Sequence, residues 1–581
     1  MFTLLKSITS FQIYVLLVLS VFLTGGVVVR LYLLGSIPSA LYWDEVAMLA
    51  DARMLLQHGT DLHGKSWLQS TFVSYGDYKL PVYIWMTTIS AKLVGITPLA
   101  VRLPSMIAGL LTVLNASLIT GLIMQTLHVP ISKNQKTIAV AATAALAAVT
   151  PWSIFFSRTG FEAHLSQAIA GCSVVLLLYS LKATVRPVLQ MLGVCIATLI
   201  AALGVYTYYS TRYVIPILFC VVIIAVLSQS SYGLQKRIKQ TVLLLAMFIL
   251  TFWISLQPIL HSPTYVASNQ YRLSTPSVLQ MEPFVSTSNE WRAMAGNTVI
   301  DRVIFHRRVF QVLQLAKHIA NHLDPTFLFF SGDANLRHGT GRHGILLFTT
   351  LPAVLAGWGW LLLRSKLSAS IFGIWWFAAL LPASVPYEVP HALRSLNALL
   401  PIIITTGVGY SVLFEAIRQR VGRVVRIGLT ILLLVIPFLE FCRFSQYYFT
   451  VYPFQSINAW QQGYWATAET IYDWSDTHTV IIDESEERLV LWLFAATNIS
   501  PTLVLESMQT YGPLPRNIGS IVVQKLEPEI VQNSGPVLLV GSEKTMTAFM
   551  EQTERIPNTT IQIISSHSDD TYLLLEYAHE N

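Results

Sequence analysis

The dominant pattern along the chain is a series of apolar runs, each close to the roughly 20 residues that cross a bilayer as a helix. They cover 11–33, 101–127, 138–157, 164–181, 188–209, 213–229, 240–259, 344–363, 370–386, 397–415 and 426–443, which predicts eleven transmembrane helices. The run at 81–97 is shorter, aromatic-rich and carries Lys92, and reads as a helix lying at the membrane surface. Three segments, 34–100, 260–343 and 444–581, are too long to be mere connectors. The last alternates short apolar strands (479–483, 519–523, 536–540, 561–565, 572–577) with helical stretches at 484–496 and 543–554. That pattern predicts a small α/β domain. The expected division is therefore a membrane domain over 1–443, an aromatic-rich linker over 444–470 and an α/β domain over 471–581.

Composition agrees with this reading. Of 581 residues, 53% are hydrophobic and only 12% charged, with a mean hydropathy of +0.56. A soluble protein carries about a quarter charged residues. Disordered, fibrous and disulfide-scaffold classes are excluded by the same figures. The four cysteines (172, 195, 220 and 442) all lie in apolar runs with no metal spacing, and read as small hydrophobes.

Charge sets the expected orientation. Short loops on one side collect Lys6, Lys133, Lys136, Lys182, Arg186, Lys236, Arg237, Lys239, Arg364, Lys366, Arg418, Arg420, Arg423 and Arg426, provided that 81–97 does not cross. The positive-inside rule then places the amino terminus in the cytoplasm and the carboxy-terminal domain outside. From Trp460 onward, 17 acidic residues face 5 Lys/Arg, so the outer domain is acidic where the rest is basic. The basic excess belongs to topology, and no nucleic-acid partner is expected.

Candidate chemistry gathers at the outer ends of the spans. Asp44 and Glu45 open an amphipathic helix just beyond the first span. Capping by the helix dipole accounts for such carboxylates, and so does a general base at the membrane face. Lys79 precedes Pro81, where it serves as an interfacial anchor or as a partner for a lipid phosphate. Arg102, Arg158, Arg337, His338, His391 and Arg394 stand on the same outer side, against the positive-inside bias, and together describe a cationic pocket for an anionic headgroup. The run RHGTGRH lacks a carboxylate or Cys set at a metal spacing, so a phosphate clamp fits it better than a metal. No metal ligands are assigned and a divalent cation is left open.

The ordered set (first span, Asp-Glu at the start of an outer helix, K-x-P before an apolar stretch, R-x-P-S opening the next span) resembles the GT-C membrane glycosyltransferases. The relatives it points to are the protein O-mannosyltransferases and the lipid A aminoarabinose transferase, the family 39 type. The match is best over 30–180, and FLFFSGDANLRH and VPHALRS resemble bacterial members, which places the chain in a bacterial plasma membrane. The resemblance implies a polyprenyl-phosphate sugar donor and inversion at the anomeric carbon. It implies a catalytic role for Asp44 with Glu45 beside it, donor-phosphate binding for Lys79 and, through a looser match, for Arg337, His338, His391 and Arg394. Arg102 and Arg158 join this donor-binding set by their outer-side placement. The acceptor, whether glycan, lipid or protein, is not implied. The competing readings are a transporter or flippase of a lipid-linked sugar, and a glycan polymerase or ligase.

Overall fold

The computed structural model describes residues 10–74, 77–512, 514–527, 536–552, 559–565 and 571–577. Lys6 lies outside them, as do 553–554 of the helix expected over 543–554. Among the described residues, nine helices are long and apolar enough to cross a membrane, or ten if one bent pair counts as a span. The chain is an integral membrane protein, mostly helical, with a small sheet domain towards its carboxy terminus. It divides into two compact units: residues 1–32, 105–157 and 161–447 form one, and 33–104, 158–160 and 448–581 the other.

In the first unit most predicted spans are continuous helices. The bent pair is the run predicted over 138–157, which breaks by 53° between Lys133–Val149 and Pro151–Ser157. Pro151 has no N–H to carry the helix through. The break leaves carbonyls to satisfy, and Arg30, buried on the first span, donates to those of Ala147 and Ala148 as well as to Ser153 Oγ and Ser157 Oγ.

The run predicted over 344–363 is shorter as a helix, Leu351–Arg364, preceded by a single 3-10 turn at Phe348–Thr350. Its first residues are apolar for another reason. Leu346 N–H bonds Leu328 O at 2.8 Å and Ile345 O accepts from Trp152 N–H at 3.0 Å, so they line a buried loop. The helix that follows crosses Leu399–Arg420 at backbone contact. A Cβ on Gly409 would sit 1.8 Å from Ala353 O, and one on Gly357 2.0 Å from Thr405 O. Small residues at such crossings are the usual means of close packing in lipid.

The segment 260–343 contains helices Tyr265–Ser274, Glu282–Ala295, Val299–Ile304 and Arg307–Asn321, then a π-helical turn at Thr326–Phe330.

The second unit contains the helix Trp43–Gln57, a hairpin of β1 (Phe72–Ser74) and β2 (Asp77–Lys79), and the helix Pro81–Val94. At 14 residues the last is too short to cross a bilayer. A six-stranded sheet follows, made of β3 (Thr479–Asp483), β4 (Asn517–Ile518), β5 (Ile521–Gln524), β6 (Val537–Ser542), β7 (Thr559–Ser565) and β8 (Thr571–Tyr577). The order is β4-β5-β3-β6-β8-β7, with β3 parallel to β5 and β6, and β8 antiparallel to β6 and β7. Ile481, Val537 and Leu539 of the sheet bury against Met546 and Phe549 of the helix Glu543–Gln552. Four of the five strands fall where alternation predicted them. The run 519–523 is instead a turn at 519–520 leading from β4 into β5. The stretch 484–496 is a 3-10 turn at Glu484–Glu486 followed by the helix Leu489–Ala496.

Candidate functional site

The candidate residues form two clusters, one in each unit.

In the second unit, Asp44 and Glu45 occupy the first turn of the helix Trp43–Gln57, where the helix dipole favours carboxylates. Neighbouring helical positions point about 100° apart, and the two acids part accordingly. Glu45 turns inward. It is fully buried, its Oε1 accepts from Gly160 N–H at 2.6 Å, and Arg102 Nε stands 3.4 Å away. Burial raises its carboxyl above the ordinary range, against the pull of Arg102 and Gly160. A Cβ at 160 would lie 2.9 Å from Glu45 Cγ and Oε1, so any larger residue there would displace the carboxylate.

Asp44 turns outward. A third of its side chain is exposed, and its Oδ1 meets Lys79 Nζ at 2.5 Å. Lys79 is placed by the hairpin register, in which it pairs with Phe72.

Arg102 donates to the carbonyls of Leu34, Pro38 and Ala40, and Arg158 to those of Leu33 and Ile37. Both are fully buried, and Arg158 lies against the rings of Tyr448 and Phe449. These two arginines shape the 33–40 loop that leads into the Asp44 helix.

Residues from 460–499 grip the same helix. Trp43 N–H donates to Gln461 Oε1 at 2.9 Å, and Arg488 stacks over the Trp43 ring. Near the other end, Arg53 donates to the carbonyls of Phe494, Thr497 and Ile499, closing the carboxy-terminal end of the buried helix Leu489–Ala496. None of Gln461, Arg488 and Arg53 was singled out from sequence, because no local pattern ties a helix to groups four hundred residues away.

In the first unit, the loop after the π-helical turn and the loop before Leu396 come together. Trp152 Nε1 holds the second by donating to Ala392 O at 3.0 Å. His338 and His391 stack with ring centroids 4.4 Å apart. Asp333 joins them: its Oδ2 lies 3.6 Å from His338 Nδ1 and 3.9 Å from His391 Nδ1. His391 is held well below the usual imidazole range by burial, and then by His338, Arg394, His322 and Arg337. Arg394 pairs with Glu388 at 3.3 Å, and Arg337 Nε donates to Asn335 Oδ1 at 3.3 Å. Spacing along the sequence showed no carboxylate for the histidines. The fold supplies Asp333, five residues before His338, and brings His391 from 53 residues beyond it.

No described protein family matches the sequence, and no curated protein matches it either. Solved structures do. ArnT from Cupriavidus metallidurans, in the apo state, superposes with a TM-score of 0.52 at 11% identity, over 97% of this chain and 99% of that one. The same protein bound to undecaprenyl phosphate gives the same values. The Archaeoglobus fulgidus oligosaccharyltransferase gives a TM-score of 0.50 at 14% identity, over 82% of this chain and 61% of that one. The chain shares the fold of these GT-C membrane enzymes. Within the GT-C fold, the ArnT likeness runs nearly end to end, with the carboxy-terminal sheet domain included in the covered length.

Proposed function

We propose that this chain is an inverting glycosyltransferase that moves a sugar from a polyprenyl-phosphate donor to an acceptor on the outer face of the membrane. The observation that carries the reading is the Asp44–Lys79 pair. A partly exposed carboxylate and an ammonium 2.5 Å apart sit on a buried Glu45–Arg102 foundation. The end-to-end likeness to ArnT, one structure of which holds undecaprenyl phosphate, supports the donor class.

In this reading Asp44 takes the proton of the acceptor nucleophile as it attacks the anomeric carbon. The bond from that carbon to the phosphate oxygen breaks on the opposite face, which inverts the centre. Polyprenyl phosphate leaves with the electron pair, and Lys79 meets the charge that develops there. A phosphate is already a good leaving group, so no general acid is needed. Glu45 and Arg102 fix the start of the helix and thereby the direction of Asp44.

The test is release of polyprenyl phosphate by purified protein from a panel of polyprenyl-phosphate sugars and acceptors. Asp44→Asn, which keeps the shape and removes the base, is expected to lower turnover by about 10²–10⁴-fold. Undiminished turnover in Asp44→Asn sinks the assignment of the base. Donor binding without turnover in either protein, across the whole panel, favours a transporter of the lipid-linked sugar.

A further inference from the structure

We propose that Asp333, His338 and His391 form a binding site for one divalent transition-metal ion of the zinc class. The proposal stands apart from the glycosyltransferase reading, since it rests on donor atoms alone.

The three residues each place a ligand atom within 4.8 Å of the others, and all three are buried. The separations of 3.6 and 3.9 Å from Asp333 Oδ2 to the two Nδ1 atoms are too long for hydrogen bonds. They are close to the ~3.4 Å that separates two ligands of a tetrahedral ion with bonds of about 2.1 Å. A charge-relay pair of Asp and His would have closed to bonding distance, and this cluster has not. His338 Nδ1 is buried without a hydrogen-bond partner among the described residues, a costly state for a ring nitrogen unless something fills the gap.

The surroundings orient the ligands. Asp333 is clamped by Asn335 N–H on Oδ1 at 2.9 Å and by Ala392 N–H on Oδ2 at 2.8 Å, so the carboxylate is pinned to both loops at once. Glu388 Oε2 lies 3.7 Å from His391 Nε2, beyond hydrogen-bond reach, and pairs with Arg394 instead. The neighbouring His322 is engaged otherwise, its Nε2 accepting from His391 N–H at 3.1 Å.

Two imidazoles and one carboxylate suit zinc or cobalt better than magnesium or calcium, which prefer all-oxygen sets. Three protein ligands leave a fourth position for water or an anionic oxygen. An ion here ties the 331–347 loop to the 385–395 loop.

The full-length protein, without an affinity tag of histidines and stripped by a chelator, is titrated with Co²⁺ and the metal content is measured. The expected result is about one Co²⁺ per chain, with the intense visible bands of a four- or five-coordinate ion, lost on adding Zn²⁺. His338→Gln and His391→Gln, checked for an unchanged melting temperature, are each expected to weaken binding by about 100-fold. Unchanged binding in both variants overturns the proposal. So does a wild-type titration that ends well below one ion, or one that yields the pale spectrum of six-coordinate aqueous cobalt. Should the variants fail to fold, X-ray absorption on the cobalt-loaded wild type decides: two imidazole nitrogens support the site, and an all-oxygen shell overturns it.

Discussion

Asp44 and Glu45 are one position apart in sequence and chemically alike, yet one is paired at the rim and the other sealed in the interior. Residue type could not separate them, because the difference is made by Gly160 and Arg102, which arrive from other elements. A third acid on the same helix gives a measurable consequence. Asp51 is buried; burial, followed by the charge of Asp61, raises its carboxyl well above the ordinary value of 3.8, against the opposing pull of Leu62 N–H and Lys79. An acid raised by folding adds stability below its unfolded value and loses it as pH climbs through the folded one. Asp51→Asn removes that dependence while keeping an acceptor for Leu62 N–H. Its melting temperature is expected to exceed wild type by about 2 °C near neutral pH and above, with the gap closing in acid. Parallel melting curves across pH would refute the assignment.

At the scale of elements, the crossing of Leu351–Arg364 with Leu399–Arg420 tolerates no side chain at its centre. Gly409→Val is expected to cost on the order of 3 kcal/mol or more, read as a lowered melting midpoint in detergent, because the new atoms meet backbone that cannot move aside. Gly359→Ala on the first of these helices, where a Cβ meets nothing within 4 Å, is the control and should leave the midpoint unchanged. A comparable drop in both would show that the crossing is not what governs, since either change raises helix propensity over glycine. Most spans and most strands of the sheet domain were legible from periodicity, since lipid and a two-faced sheet each enforce a simple pattern. The 344–363 run misled in part because a buried loop is also apolar. The Asp333 cluster escaped because its third member lies on another loop, and the role of 460–499 escaped because Gln461 and Arg53 carry no periodic signal.

For the molecule as a whole, charge segregation leads to a test of orientation. Glu551→Cys on the sheet domain is expected to react with a membrane-impermeant maleimide on intact cells whose outer barrier has been opened. Arg423→Cys, exposed at the start of the helix Arg423–Thr450, should react only after lysis. The reverse pattern would invert the assigned topology. The bent span carries a further consequence, for the order in which the chain is made. Arg30 lies at the end of the helix Ser10–Leu31, but its partners at Ala147, Ala148, Ser153 and Ser157 are 117 to 127 residues downstream. Until those residues are synthesised, this guanidinium has neither Ala147 nor Ala148 to serve. Within its own helix Arg30 reaches the carbonyl of Gly26. Its final depth in the bilayer is a property of the third hydrophobic segment as much as of its own.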